Sequence, residues 1–165
     1  MLVDIEKIIF GPDENISDLV ISEINKAKNE IKVMAFWFTW KPIADALLAA
    51  HTRGVKVGLL LDSRSAEEKL KDVDKDRELV VPEYLSDNGI LDVRIYNGEL
   101  LHHKIVLIDG DTVLTGTCNF FNASINRHEE HHMLIKSKEL HDTFHKRYNY
   151  IRDNQSNKFE FNISA

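Results

Sequence analysis

A chain of 165 residues, 43% of them apolar, has the length of a single domain with a real core. Its formal net charge of −6 argues against a broad basic nucleic-acid surface, though not against a local basic groove. A single cysteine, Cys118, excludes an internal disulfide framework and fits a reducing compartment.

The stretch from Met1 to Asn15 carries acids early and has no apolar run of signal length. No window approaches the roughly 20 apolar residues of a membrane span. A cytoplasmic chain without a membrane span is therefore expected. Ile5 to Phe10 reads as a first strand, closed by Gly11-Pro12. Ile16, Leu19, Val20, Ile24 and Ala27 then recur at helical spacing, with Asp13, Asn15 or Ser17 as cap. Glu23, Lys26 and Lys28 fall on the polar face of that helix and are expected in solvent.

Ile31 to Trp40 is the most apolar window and reads as a central strand covered on both faces. Its tryptophans, Trp37 and Trp40, suit core packing. Phe38, Thr39 and Trp40 fall at its end, where an aromatic ring could instead stack on a base or touch a lipid. Pro42 suits the first turn of a second helix, which Gly54 ends. Val55 to Leu61 is an apolar strand, and strand–helix–strand forms a crossover unit with parallel strands.

Ser63 to Asp76 is strongly charged and reads as a solvated helix and loop. Arg64, Lys69, Lys71, Lys75 and Arg77, over the 63–77 segment, could reach a polyanion, but a solvated face is the reading taken. Leu91 to Tyr96 is a further strand, between the turns Asn88-Gly89 and Asn97-Gly98.

The chain is organised around Leu101 to Asn119, LHHKIVLIDGDTVLTGTCN. His102 to Ile108 is a strand, Asp109-Gly110-Asp111 a turn, and Thr112 to Thr115 a second strand, so the pair makes a hairpin. By alternation, His102, Lys104, Val106 and Ile108 share one face. Asp109 points the other way and suits a turn or a structural partner. An imidazole near neutral pKa can act as nucleophile or general acid/base. A lysine beside it holds an anion as a point charge. Thr117 and Asn119 can donate to oxygens, and Gly116 lets backbone approach a ligand closely. A tetrahedral phosphoryl group is the natural target. Protonated lysine cannot ligate a metal, so no metal is expected here.

Phe120 to Ser124 follows as a short helix whose first turn can aim N–H groups at an anion. His128-Glu129-Glu130-His131-His132 looks like a zinc cluster, but it opens a strand, so its side chains alternate apart. His141 and His145 stand at i and i+4 on the last helix, which is too few ligands to argue a metal. That helix buries Leu140, Phe144, Tyr148 and Ile151. The polar tail, 156–165, is expected to fray.

The spacing H-x-K-x4-D-x6-G-T-x-N, at His102, Lys104, Asp109, Gly116, Thr117 and Asn119, resembles the HKD motif of the phospholipase D superfamily, with Thr117 where serine is usual. The similarity extends over roughly residues 5 to 150 and is greatest to the small single-motif endonucleases of that superfamily. Glu130 sits where those members carry a carboxylate. The resemblance implies an α/β fold: a mixed, mostly parallel central sheet flanked by helices on both faces, an α-β-α sandwich over 1–155 with one motif per chain. It implies His102, Lys104, Thr117, Asn119 and Glu130 as catalytic, Asp109 and Gly116 as structural, and no cofactor. Glu130 would accept from His102 Nδ1 and leave Nε2 free to attack. Because the superfamily's chemistry uses two motifs per site, a single motif implies a homodimer sharing one active site. The expected function is a metal-independent endonuclease on DNA or RNA, working through a phosphohistidine. A phospholipase D-type hydrolase is the alternative, and a non-catalytic phosphate-binding module a third reading.

Overall fold

A computed structural model describes residues 3–66 and 79–160. In it the chain runs β1 (Asp4–Gly11), α1 (Ile16–Lys26), β2 (Glu30–Ala35), α2 (Lys41–Thr52) and β3 (Lys56–Leu61), then a single 3-10 turn at Ser63–Ser65. It continues with α3 (Val81–Asp87), β4 (Asp92–Tyr96), β5 (Lys104–Ile108), β6 (Thr112–Gly116), α4 (Asn122–Asn126), β7 (Glu130–Lys136), α5 (Lys138–Asn154) and β8 (Ser156–Lys158). Lys69, Lys71, Lys75 and Arg77 of the charged segment lie outside the described residues.

The strands form one sheet in the order β1-β7-β6-β5-β2-β3-β4-β8. The sheet is mixed, as expected, but it is not mostly parallel. Only β2–β3 and β3–β4 pair in parallel, and every other neighbouring pair is antiparallel. The reason is connection length. A parallel pair needs a crossover, and only α2 and the segment through α3 supply one between paired strands. The hairpin β5–β6 and the short return through α4 to β7 force antiparallel neighbours.

Helices cover both faces. Alternation along the central strands sends Ile31, Val33, Leu59, Leu61, Val106 and Ile108 to the face under α1, α2 and α3. Met34, Leu60, Ile105 and Leu107 point to the other face, where Tyr148 and Ile151 of α5 meet them. The single-chain pattern of apolar residues on both sides of β2, β3 and β5 is that of strands buried on both faces.

Asn15 caps α1, its side chain accepting from Asp18 N at 3.1 Å. Glu23 departs from expectation: only 6% of it is exposed, and Lys26 Nζ meets its Oε1 at 2.6 Å. The carboxylate lies against the sheet's end, and the lysine three residues on neutralises it there. The tail also departs. Ser156 to Lys158 form β8, pairing antiparallel with Tyr96, Ile95 and Arg94 on the edge of β4. A polar strand suits that place, because a sheet edge offers backbone groups whatever the side chains are.

Candidate active site

β2 and β5 run side by side, with Ala35 opposite Lys104. Beyond that register the chain leaves β2 at Phe36, whose N–H donates to His103 O at 2.9 Å. His102 and Lys104 therefore emerge at one end of the sheet's centre. His102 is exposed and Lys104 is buried. The Lys104 ammonium donates to the His102 carbonyl at 3.0 Å and lies 5.3 Å from the centre of the Phe36 ring. The imidazole of His102 rests on the same ring at 4.8 Å between centroids. Burial pulls the lysine below its ordinary pKa, and the nearby Glu130 carboxylate opposes that shift.

The approach to His102 is fixed from the side. Asp62, at the end of β3, is almost wholly buried and accepts from Leu101 N at 2.8 Å and from Arg64 N and Nη1 at 3.1 and 2.7 Å. The Arg64 guanidinium then lies 5.4 Å from the Phe36 ring. Ser65 Oγ receives Phe38 N and donates to Phe36 O, both at 3.1 Å, which pins the turn beneath the site.

Asn119 and Glu130 are joined through Ser124. Its Oγ accepts from Asn119 N at 2.9 Å and donates to Glu130 Oε1 at 2.7 Å. The expected bond from His102 Nδ1 to Glu130 is thus not made within the chain; the carboxylate is held by Ser124 instead, with His128 Nδ1 at 3.9 Å. Asn119 Oδ1 is buried with no hydrogen-bond partner among the described residues. The arrangement brings an exposed imidazole, an ammonium, an amide and a carboxylate to one end of the hairpin. Such a set can bind a tetrahedral anion and pass protons to and from it.

The other motif residues make these contacts within the fold. Asp109 adopts φ 51° in the turn and accepts from the N–H groups of Lys28, Asn29 and Glu30 at 2.8, 2.8 and 3.0 Å. Burial works to raise its carboxyl, but those three donors outweigh it and hold it below the usual carboxylate range. Gly116 lies against β7. A Cβ there would collide with His131 O and lie 2.8 Å from His132 Cα, so its glycine serves the close approach of β7. Thr117 is exposed, and its Oγ1 accepts from His131 N at 3.1 Å. That bond ties the hairpin exit to β7.

Phe38, Thr39 and Trp40 are 0%, 3% and 4% exposed, so they form core and not a substrate surface. Trp40 Nε1 donates to Ser17 Oγ at 2.9 Å. The strand of the sequence reading ends early, at Ala35, and the chain then pairs with Phe120 through Phe38. This shifts the phase: Phe36 lies against His102 and Lys104, and Trp37 meets Phe36 edge-on. Phe36 and Asp62 have no signal in the sequence, since they act through contacts distant in the chain, and Ser124 has none because its partners, five and six residues away, meet it only once α4 turns the chain. The histidine-rich run alternates as expected, and the described residues hold no group of three or more ligands placed for a metal. His132 is fully buried with neither ring nitrogen paired among the described residues, and burial, aided by neighbouring His131, brings it down to about 4. Burial likewise pushes the Cys118 thiol up to about 11, which makes it inert.

The fold and site define a class: an α/β protein presenting one His–Lys–Asn constellation where a hairpin leaves a mixed sheet. The chain belongs to the family described as "Cardiolipin synthase, PLD-like domain", which matches residues 20–152. It is 28% identical over 153 residues to a protein named phospholipase D from Rickettsia prowazekii, covering 92% of this chain and 69% of that one. The identity is also 28% to the phospholipase D of Rickettsia typhi, of whose length the chain spans 62%. The crystal structure of Nuc from Salmonella typhimurium, a phospholipase D family member, superposes with a TM-score of 0.83 at 28% identity, covering 97% of this chain and all of that one. NucT from Helicobacter pylori shares the fold, with a TM-score of 0.80 at 19% identity. Among the described residues no helix is long and apolar enough to cross a membrane.

Proposed function

We propose that the protein is a phosphodiesterase, and specifically an endonuclease that needs no metal and works as a homodimer. The observation that carries this reading is the pairing of an exposed His102, just ahead of β5, with Lys104, buried at that strand's first residue and bonded to the His102 carbonyl. One chain brings one such histidine, whereas the reaction needs a nucleophile and an acid together. Two copies supply both.

In the first step His102 Nε2 of one copy attacks phosphorus. A P–N bond forms as the P–O bond to the leaving group breaks. His102 of the second copy, protonated, gives its proton to the leaving oxygen. In the second step that imidazole takes a proton from water, the water oxygen attacks phosphorus, and the P–N bond breaks. Lys104 and Asn119 of both copies, with Thr117, hold the non-bridging oxygens as charge builds. Glu130, fixed by Ser124, stands close enough to Lys104 to influence its charge and is available to a histidine of the second copy.

A single buried cysteine, Cys118, suits a cytoplasmic setting. The Rickettsia relatives' name supports phospholipid cleavage as the second reading. Plasmid DNA and short RNA incubated in EDTA, beside a phosphatidylcholine assay, separate the two. Nucleic-acid cleavage that His102→Ala abolishes supports the nuclease. Lipid turnover alone supports the second reading. Loss of all cleavage in EDTA, or a strictly monomeric active protein, overturns the mechanism.

A further inference from the structure

An aromatic path leads away from His102. Phe36, under the imidazole, meets Trp37 edge-on at 6.4 Å, and Trp37 stacks on Phe121 at 5.0 Å with the ring planes 22° apart. Backbone pairing sets this order. Thr39 N and Trp40 N donate to Phe120 O at 2.9 Å, and Phe120 N donates to Trp37 O at 3.0 Å. The parallel bridge between Phe38 and Phe120 turns those two rings inward as a T-shaped pair at 5.4 Å. By alternation it turns Trp37 and Phe121 outward. Trp37 is 38% exposed, whereas the other tryptophan, Trp40, is 4% exposed. A large apolar ring that stays partly in solvent, one ring removed from His102 and fixed by backbone bonds and by its stack on Phe121, offers a surface for a ligand.

Resting on the phosphodiesterase reading, we propose that Trp37 and Phe121 form a stacking platform for an unpaired nucleobase next to the scissile phosphate, so that the substrate is single-stranded nucleic acid. A duplex is held chiefly by neutralising many phosphates, which a chain of net charge −6 is poorly made to do. Stacking needs few charges and tolerates any base, because every base has a π-face. The platform is preformed, so little ordering cost opposes binding. Arg64, packed over Phe36 and held by Asp62, supplies a local cation at the ring that carries His102. A base-paired nucleotide cannot present its face to Trp37 without leaving its stack.

The test uses the full chain. Binding of a fluorescent single-stranded oligodeoxyadenylate in EDTA is followed by anisotropy, its cleavage by KM and kcat, and Trp37 emission by quenching. A stacked base is worth roughly tenfold in affinity. Trp37→Ala therefore raises KM for the oligonucleotide about tenfold with kcat within about threefold, and Trp37→Phe restores most of the loss. The same duplex sequence is cleaved far more slowly, and the single strand quenches tryptophan emission in the wild type only. Four results overturn the proposal. One is equal use of single strand and duplex. Another is a KM insensitive to Trp37→Ala. The third is quenching by phosphatidylglycerol vesicles but not by the oligonucleotide, which marks a lipid surface. The fourth is conversion of Trp37→Ala protein to monomers, which marks a contact between copies. Turnover of methyl p-nitrophenyl phosphate, a diester without a base, by wild type separates the levels of failure. If that diester is cleaved while the oligonucleotide is not, the platform falls and the phosphodiesterase reading stands. If neither is cleaved, that reading falls first.

Discussion

The two ends of the β5–β6 hairpin carry the same motif and opposite physics. At one end His102 is exposed, Lys104 sits buried with a single hydrogen bond to a carbonyl, and the Asn119 side-chain oxygen is unpaired among the described residues. At the other end Asp109 spends both carboxylate oxygens on three backbone N–H groups. One end keeps its polar groups free for a ligand, and the other consumes them in the fold. A motif of chemically reactive letters is thus half reagent and half scaffold, and only the partners of each side chain tell which half it belongs to.

The comparison breaks most sharply at His102. His102→Ala removes an exposed ring that makes no hydrogen bond among the described residues and rests on Phe36, so the free energy of urea unfolding should stay within about 0.5 kcal/mol of the parent. Activity should drop at least about 10³-fold in kcat, the scale of losing a nucleophile or its acid. Asp109→Ala should do the reverse. Three backbone donors lose their acceptor and a positive-φ position loses a residue type that tolerates it, which costs about 2–3 kcal/mol in denaturant unfolding. Protein that remains folded should keep most of its kcat. Were Asp109→Ala to abolish turnover without loss of stability, the division of the motif would be wrong. The depressed Asp109 carboxyl adds a pH signature. Its stabilisation is present above the ordinary carboxylate pKa and is lost as pH falls through the lower folded value, so acid should narrow the gap between parent and Asp109→Ala. Gly116→Ala comes next, with about 2 kcal/mol lost because the methyl meets the His131 carbonyl and little can give way.

The same division explains what the sequence could tell. The hairpin, the caps and the central strands were legible because period-2 alternation, the Asp109-Gly110 turn and Asn15 before an apolar periodic run are local signals. The reagent half of the motif is legible because His102 and Lys104 are two residues apart, although β5 begins only at Lys104 and His102 lies just ahead of it. What escaped depends on contacts between distant segments. The phase of Phe36 to Trp40 was misplaced because β2 ends at Ala35, and nothing local marks the switch from the β5 register to the bridge with Phe120. Ser124 gave no sign of joining Asn119 to Glu130, since α4 must fold back before the three meet. The preference for antiparallel pairing was hidden in connection lengths, and a polar β8 looks like a tail until the edge of β4 is there to receive it.

The smallest effect tests a second contrast, between His102 and His132. Both are histidines near the open end of the hairpin, yet His132 is fully buried with neither nitrogen paired among the described residues and is held down to about 4. Its folded pKa lies below the unfolded value of about 6.5, so the unfolded chain takes the proton first as pH falls. Stability contributed by the neutral ring is complete above about pH 6.5, declines as pH drops from there toward 4, and changes no further below. Between pH 7 and pH 5.5 the loss is about 1 kcal/mol by that linkage. His132→Phe keeps an aromatic ring without a titrating group, so its unfolding free energy should vary less with pH over that interval by about the same amount. Urea titrations of both proteins at the two pH values measure it directly. An identical slope in parent and variant would mean that His132 reaches a proton partner in solution, and that the closeness of β6 to β7 at Gly116 is looser than the backbone contact there requires.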